Sequence, residues 1–357
     1  MTRAVSAALA THIGGISTTL ATCVKVKRKD GTKLGFTDAV ADLNFDLGDG
    51  DGALTYKAAT AYARSDIENA AGLNVDNLEL DWILDSTAIT AADLRAGRYD
   101  FAAITMFLVN RADLTQGSIR LRTGWLGEVS LRDNDFRAEL RGMAQALAQG
   151  IIEVYTPDCL ADLGDTRCKV RVKPPAWAAT TAYTKREAAD ANTGSVVKPT
   201  TQNGRHYKCT TAGTSGASEP TWNTTVGGTT ADSTVTWTTI QALSQTGTVA
   251  TVTDKRQFTA TGVSLGADHL LGGLVEWLTG ANAGLKAEIK SDSGAGAFTL
   301  YLPMPFTIAV SDTFTAVAGC RKRLSADCVT KFDNAENFRG FPFVPGTDVA
   351  LDYPDAR

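Results

Sequence analysis

Two pairs of cysteines are the residues best suited to chemistry in this chain. Eight residues separate Cys159 from Cys168 in YTPDCLADLGDTRCKV, and seven separate Cys320 from Cys328 in GCRKRLSADCVTKF. Four thiolates are the ligand set of a tetrahedral zinc ion or of a four-cysteine iron–sulfur cluster. Zinc ribbons usually space each pair by two to four residues, whereas longer loops can wrap a bulkier group. The spacing therefore favours an iron–sulfur cluster, with zinc as the alternative.

Other interpretations of the cysteines stay open. Free cysteine is among the most buried residue types, so the four could simply pack in a core. Arg167, Lys169 and the basic run 321–323 flank the pairs, where they could offset the charge of a thiolate cluster or be ordinary solvated side chains. A cysteine peptidase would need a cysteine beside a histidine, which the sequence does not suggest. Cys23 and Cys209 are predicted to be packing residues.

The remaining motifs give little support for an enzyme. His12, His206 and His269 stand apart, and no HExxH pattern is present. P-loop and GxGxxG dinucleotide patterns are also missing from the sequence. The LGDGDG segment and Asp30-Gly31 lack the terminal glutamate of an EF-hand, and they are predicted to form hairpin tips. We predict that the protein is not an enzyme.

Composition restricts the classes of partner. The net charge is -4 with 21% charged residues, and the basic residues are scattered, so a specific nucleic-acid surface is not expected. No window approaches the roughly 18 apolar residues of a membrane span. The start, MTRAVSAALATHIGGISTTLATC, lacks the apolar core of a secretory signal and is predicted to form a short helix. Synthesis in a reducing cytoplasm then favours metal ligation over disulfides.

Residues 1–155 are predicted to form a mainly β domain with some helix. The strand candidates are rich in β-branched or alternating apolar residues: Thr22–Lys27, Leu78–Leu84, Ala103–Val109 and Ile119–Leu126. Helices are predicted at Ala91–Ala96, with Thr90 as N-cap, and at Leu140–Gly150. The first cysteine pair then occupies its own segment, residues 156–173.

An abrupt shift to Thr, Ala, Ser and Gly marks residues 174–242. Thr-rich alternation between turn signals predicts a small inserted β domain. Its large aromatic residues are Trp177, Tyr183, Tyr207, Trp222 and Trp237. A domain this small has few other large side chains to bury, so we predict that most of them form its core rather than a sugar-stacking platform.

Residues 243–318 are predicted to be a β region, followed by the second cysteine pair and an irregular tail at 319–357. The strand candidates occur at hairpin spacing: Thr248–Val252, Gly273–Trp277, Lys286–Lys290, Phe298–Leu302 and Thr313–Ala316. The whole chain is therefore expected to be mainly β (α+β), with β-barrel-like domains, short helices, an inserted small β domain and the four-cysteine site.

Several segments together resemble the hub proteins of gene transfer agents and long-tailed phages (siphoviruses), and more distantly the tail-tip proteins of lambda-like phages. They are KRKDGTKLGFTD (27–38), LRAGRYDFA (94–102), GWLGEV (124–129), YTPDCLADLGDTRC (155–168) and FDNAENFRGFPFVPG (332–346). The resemblance spans residues 1–173 and 245–357. Related sequences often read FTDHD where this chain has FTDAV (36–40), so any role of that histidine and second aspartate is missing.

The resemblance implies a structural role in a virion tail tip, in a particle assembled in the host bacterial cytoplasm. It implies a homotrimer that links the distal tail protein ring to the tail-tip or central fibre protein, near the tape measure protein. It also implies that Cys159, Cys168, Cys320 and Cys328 bind an iron–sulfur cluster, expected to be 4Fe-4S, with a structural role.

The insertion is similar, over short stretches, to carbohydrate-binding-like modules of phage tails. These stretches are AWAATTAY, GRHYKCTTAGTSGASEPTW and STVTW. The similarity suggests a host surface glycan as a further partner. The alternative functions are therefore a glycan-binding tail adhesin and a tail-tip cysteine peptidase.

Overall fold

A computed structural model describes residues 5–58, 62–64, 77–83, 89–131, 135–142, 153–185 and 195–344. The chain divides into two compact units, Met1–Ile151 (unit 1) and Ile152–Arg357 (unit 2). Helix is sparse: α1 is Ala7–Ile13 and α2 is Ala91–Arg95, with 3-10 turns at Leu114–Gln116 and Ala335–Asn337 and a π-helical turn at Leu324–Val329. Across these described helices, none has the length and apolar character needed to cross a membrane.

Unit 1 is built on one nine-stranded sheet. Its strands are β1 (Leu20–Lys27), β2 (Lys33–Thr37), β3 (Leu43–Asp46), β4 (Ala53–Lys57), β5 (Tyr62–Arg64), β6 (Asn77–Ile83), β7 (Ala103–Asn110), β8 (Ser118–Leu131) and β9 (Asp135–Arg141). Their order is β3-β4-β2-β1-β7-β8-β9-β6-β5. The pairing is antiparallel except between β2 and β4. Central strands β1 and β7 bury side chains on both faces, which explains their nearly continuous apolar sequence.

Local sequence signals set the ends of these elements. Ser6 Oγ accepts a hydrogen bond from Leu9 N–H at the start of α1, and Thr90 Oγ1 accepts one from Asp93 N–H at the start of α2. The predicted cap at Thr90 is therefore confirmed. The glycine-rich run 48–52 lies between β3 and β4, as expected for a hairpin tip.

One predicted element of unit 1 is wrong at its start. Helix was predicted at Leu140–Gly150, but Leu140 and Arg141 belong to β9 and pair with β6 and β8. The side chain of Leu140 is fully buried in the sheet core, so tertiary packing overrides the helix propensity of the Leu- and Ala-rich sequence. Residues 143–150 lie outside the described part of the chain.

The first β structure of unit 2 lies within residues 174–242, called the insert below. Its strands are β10 (Ala182–Tyr183), β11 (Val196–Val197), β12 (Arg205–Thr211), β13 (Gly213–Thr214), β14 (Thr229–Asp232) and β15 (Val235–Gln241). Four of them form a sheet in the order β11-β12-β15-β14, and β10 pairs with β13. The aromatic residues predicted to form the core do so, and only Trp222 is partly exposed.

A closed six-stranded barrel follows the insert. Its strands are β16 (Ser244–Val252), β17 (Gln257–Thr261), β18 (Leu274–Trp277), β19 (Lys286–Asp292), β20 (Ala297–Leu300) and β21 (Thr313–Val317). They close in the order β16-β17-β20-β19-β18-β21. Phe258, Trp277, Phe298 and Phe314 fill the interior with ring centroids 5.3–5.5 Å apart. The prediction of a mainly β chain with barrel-like structure and short helices is confirmed.

The insert is fixed to the barrel at the point where the chain passes between them. Ser244 Oγ, at the start of β16, donates to the carbonyl of Val172, so the two ends of the insert lie together. His206 Nδ1 accepts the Leu243 N–H at 3.4 Å, and His269 Nε2 lies 3.0 Å from the Ala242 carbonyl. Burial lowers the pKa of each histidine to about 4. Both imidazoles are therefore neutral at neutral pH.

Candidate functional site

The loop between Cys159 and Cys168 is organised by one carboxylate. Asp165 Oδ1 accepts hydrogen bonds from Cys168 N–H at 2.6 Å and Arg167 N–H at 2.9 Å, and Oδ2 accepts one from Asp162 N–H at 3.1 Å. Burial acts to raise the pKa of Asp165, but these donors outweigh it and hold the pKa below its usual value. The backbone of Cys168 is thus fixed by protein groups.

The second pair lies where the barrel ends. Gly319 follows β21 and passes so close to Leu271 that a Cβ there would lie 2.0 Å from the Leu271 carbonyl oxygen, so only glycine can precede Cys320. Lys322 has φ of 63° and donates its N–H to Cys320 Sγ at 3.3 Å. Cys328 lies on the π-helical turn 324–329, an element often found at functional sites.

Backbone hydrogen bonds join the two cysteine loops. Cys159 N–H donates to the Lys322 carbonyl at 2.8 Å. Asn334 connects the other two cysteines, because its N–H donates to the Cys328 carbonyl at 2.6 Å and its Nδ2 donates to the Cys168 carbonyl at 2.7 Å. The fold therefore brings together all four predicted residues, although more than 150 positions separate the pairs in the sequence.

The four thiols share one electrostatic environment. Cys159, Cys168 and Cys328 are buried and Cys320 is half-buried; all four are free thiols. Burial, together with the charges of the other three sulfurs, raises the pKa of Cys328 to about 12. Burial also raises the pKa of Cys320. Among the residues that the structure describes, no group of three or more His, Cys, Asp or Glu side chains is arranged to hold a metal ion.

Several residues of this site were not predicted. Arg339 donates its N–H to Cys159 Sγ at 3.3 Å. Lys331 Nζ donates to the carbonyls of His269 and Gly319, both at 2.7 Å, and burial lowers its pKa. Asp165 and Asn334 position the cysteine backbone as described above. The only available signal was their place in the two quoted segments 155–168 and 332–346, since a polar residue in a loop has no periodicity to reveal its role.

The basic residues that flank the cysteines form ion pairs, and the two remaining cysteines are packing residues. Among the flanking basic residues, Lys322 pairs with Asp162 at 2.8 Å and Arg167 pairs with Glu153 at 3.2 Å. Cys23 and Cys209 are fully buried, as predicted for packing residues.

A short pattern typical of serine hydrolases also occurs in the barrel. Residues 262–266, GVSLG, match the GxSxG pattern, but they lie between barrel strands β17 and β18 instead of between a strand and a helix. That pattern therefore carries no catalytic assignment here.

The fold and the site define a class of protein: a mainly β chain, with a closed barrel and a small β domain beside the junction of two cysteine loops. The family model for the baseplate hub protein, N-terminal attachment domain, matches residues 6–171. A second model, the phage conserved hypothetical protein BR0599, matches residues 268–348. Both cysteine pairs lie inside these matches, while residues 172–267 lie between them.

A solved structure extends the similarity to nearly the whole chain. A chain from the virion of the native gene transfer agent particle is 30% identical, with a TM-score of 0.67, and the match covers 98% of this chain and 97% of that one. Among curated proteins, none matches. This chain belongs to the family of baseplate hub proteins of phages and gene transfer agents, and it is a component of a virion tail.

Proposed function

We propose that this protein is the structural hub of a phage-like tail tip, stabilised by an iron–sulfur cluster bound to Cys159, Cys168, Cys320 and Cys328. It works as a homotrimer that links the distal tail protein ring to the tail-tip or central fibre protein, close to the tape measure protein. It is assembled in the bacterial cytoplasm and has no catalytic activity. The observation that carries the proposal is the junction of the two cysteine loops within a chain that matches a virion protein over its full length.

The donor set fits a cluster in its chemistry. The four cysteines are free thiols, and the charges of Cys159, Cys168 and Cys320 act on Cys328, which supports a shared four-cysteine site. Backbone N–H groups of Lys322 and Arg339 donate to two of the sulfurs, and hydrogen bonds to ligand sulfurs stabilise an iron–sulfur cluster and tune its reduction potential. The cluster would add metal–ligand bonds across a junction that hydrogen bonds already align. It would lock the chain before the insert to the chain after the barrel.

A structural role is favoured over electron transfer or catalysis. The cysteine loops pack directly on the barrel core, since Cys159 and Cys168 belong to the same buried cluster as Phe314 and Trp277. His269, a histidine of the same unit, lies with Nε2 3.0 Å from the Ala242 carbonyl, where it fastens the insert to the barrel. A glycan-binding role for the insert has no comparable support, as four of its five large aromatic residues are buried.

The cluster is tested by anaerobic purification, a visible spectrum, and analysis of iron, zinc and acid-labile sulfide. We expect broad absorption near roughly 400 nm with stoichiometric iron and sulfide. Serine substitution at any of the four cysteines should remove it. Cys23→Ser and Cys209→Ser are matched controls, because Cys23 is buried in the sheet core of unit 1 and Cys209 in the core of the insert, and they should keep the spectrum. Zinc without sulfide would show that the four cysteines bind a zinc ion instead of a cluster. Absence of any metal would reject the four-cysteine metal site.

The hub assignment has an independent test. The mass of the purified protein in solution, measured by light scattering, should correspond to three chains. Deleting the gene from the producing cells should yield tails without tip structures, and expressing the chain should restore them. Complete tails in the deleted cells would reject the hub function whatever the metal content.

A further inference from the structure

A cleft of about 700 Å³ in unit 2 reaches one of the four cysteines. It lies between the chain that follows Cys159 and the outward-facing residues of barrel strands β18 and β19. Of the four cysteines, Cys320 alone lines it, and Cys320 is half-buried whereas the other three are buried. Gly272 and Gly273 also line the cleft, and neither has a side chain that could cover the thiol. Cys320 is therefore the thiol that solvent reaches.

The walls of the cleft carry an excess of positive charge. Five basic and three acidic side chains line it. Glu276 pairs with two of the lysines, and Asp162 pairs with a third, Lys322, at 2.8 Å. Lys169 adds a further positive charge to the walls. Such walls attract an anion. A four-iron cluster held by thiolates is an anion, because its sulfides and thiolates outweigh the charge of its iron ions.

We propose that this cleft is the route by which an anionic iron–sulfur cluster reaches the cysteine junction, and that Cys320 is the first of the four cysteines to bind it. The inference rests on the proposed cluster and adds the order of its assembly. The Cys320 sulfur forms a bond to iron, and the external thiolate that held this iron leaves with the Cys320 proton. Iron and sulfide keep their oxidation states, so the step needs no oxidant or reductant. The three buried cysteines then replace the remaining external thiols in the same way.

The order of access is tested first on the metal-free protein. Brief treatment with iodoacetamide alkylates the thiols that solvent reaches, and mass spectrometry of the peptides reads each cysteine separately. We expect Cys320 to react about tenfold faster than Cys159, Cys168 or Cys328, because a buried thiol is shielded from the reagent. Equal or faster reaction at any of these three would overturn the proposed order.

Narrowing the cleft should slow this reaction. Leu274 lines the cleft on β18 and is 37% exposed. Leu274→Trp places a larger side chain there, and we expect alkylation of Cys320 to slow by about fivefold. The matched control is Leu278→Trp, at an exposed residue just after β18 that does not line the cleft, and it should keep the wild-type rate. Equal rates for Leu274→Trp and the wild type would reject the cleft as the route.

The charge of the walls is tested with an anionic reagent. Iodoacetate carries a carboxylate and iodoacetamide does not, so the ratio of their rates at Cys320 reports the local potential. Lys169→Glu should lower this ratio by about threefold, and added salt should lower it in the wild type. Lys290→Glu makes the same change of charge on an exposed lysine of β19 outside the cleft, and the ratio should stay unchanged. An unchanged ratio in Lys169→Glu would overturn the attraction of an anion.

Uptake of a cluster completes the test. The probe is a four-iron cluster capped by 2-mercaptoethanol, added anaerobically to the metal-free protein, and visible circular dichroism follows its transfer. We expect Leu274→Trp to slow uptake by about fivefold and to reach the wild-type iron content, because all four ligands stay in place. Uptake at the wild-type rate by this variant would reject the route and keep the cluster. A wild-type protein that takes up no cluster would instead reject the iron–sulfur site, and the route with it.

Discussion

The barrel and the insert both build their cores around tryptophan, but they treat the indole N–H differently. In the insert, Trp177 and Trp237 both donate to Asp232 Oδ2, at 2.8 and 3.0 Å, and Gly216 N–H donates to Oδ1 at 2.8 Å. In the barrel, Trp277 Nε1 is buried with no hydrogen-bond partner in the described residues. The insert is therefore specified by a buried polar centre, and the barrel by packing and strand closure.

The size of each domain explains why the indole N–H is paired in the insert and unpaired in the barrel. The closed barrel surrounds its aromatic cluster with many further apolar residues from the cysteine loops and the tail, so it tolerates an unpaired donor that costs about 1–3 kcal/mol. In the described part of the insert, the buried cluster has seven residues, one of them a cysteine. A small core gains less from burial, so directed hydrogen bonds must orient its rings.

The largest effect is expected from breaking the barrel core. Phe314 is fully buried and contacts the other three aromatic rings. Phe314→Ala should lower the free energy of unfolding by about 3–5 kcal/mol, because it removes apolar contacts and leaves a cavity. Chemical denaturation of unit 2 measures this. Phe343→Ala, at a side chain that is 91% exposed, is the control and should change stability by less than about 0.5 kcal/mol.

A somewhat smaller effect is expected from the polar centre of the insert. Asp232→Ala leaves two buried indole N–H groups without an acceptor, which should cost about 2–4 kcal/mol. Near-ultraviolet circular dichroism should report loss of the fixed tryptophan environment. Asp232→Asn retains a carbonyl oxygen and should lose less. Equal stability of Asp232→Ala and the wild type would mean that the insert, like the barrel, is held by packing alone.

The contacts of His206 and His269, which join the insert to the barrel, should make the stability of the protein decrease at acid pH. The folded pKa of His206 and His269 is about 4 against 6.5 for the free side chain, so the unfolded chain binds protons first. Their contribution to stability is complete above pH 6.5 and is lost as the pH falls toward 4, by about 1.4 kcal/mol for each unit of pKa difference. Melting temperatures between pH 4 and 7 should show a steeper slope for the wild type than for His206→Asn or His269→Gln.

Carboxylates also make stability decrease with falling pH, but in a lower pH range than the histidines. Hydrogen bonds from Lys25 and Lys27 lower the pKa of Asp51, so its contribution disappears below the ordinary titration of an aspartate. The difference between the wild-type and histidine-variant slopes of melting temperature against pH therefore measures the contribution of His206 and His269 alone. Parallel slopes would exclude the two histidines as the cause.

The smallest effect is expected for the difference in stability between two tryptophan substitutions, one in the insert and one in the barrel. Trp237→Phe removes a hydrogen bond as well as ring volume, whereas Trp277→Phe removes volume together with an unpaired donor. Trp237→Phe should therefore be the more destabilising substitution, by about 1 kcal/mol. Paired denaturation curves measure the difference. A larger loss for Trp277→Phe would indicate that its N–H is satisfied by a buried water.

Five of the six barrel strands could be predicted because alternation survives in their sequence: β16, β18, β19, β20 and β21. Strand β17 was missed although Phe258 and Ala260 alternate with polar residues, since its run QFTAT is short and rich in threonine. The predicted helix at 140–150 illustrates the opposite error, in which local propensity outweighed the alternation of DFRAELR. Local signals cannot report which strand a segment will meet.

The candidate site could be predicted only as a set of residue types. Cysteine spacing and family resemblance singled out four thiols, but the groups that align them are ordinary loop residues. Asn334 matters because it bonds to Cys168 and Cys328 at once, which is a property of the folded chain.

The bond between Ser244 and Val172 has an evolutionary consequence. Because the chain leaves the cysteine loop and returns to the barrel at one point, the segment between them behaves as a cassette. Recombination that swaps, shortens or replaces it has to join only two adjacent positions, and the rest of unit 2 keeps its path. Tail lineages could thus vary this segment freely while the cysteine junction and the barrel stay under constraint.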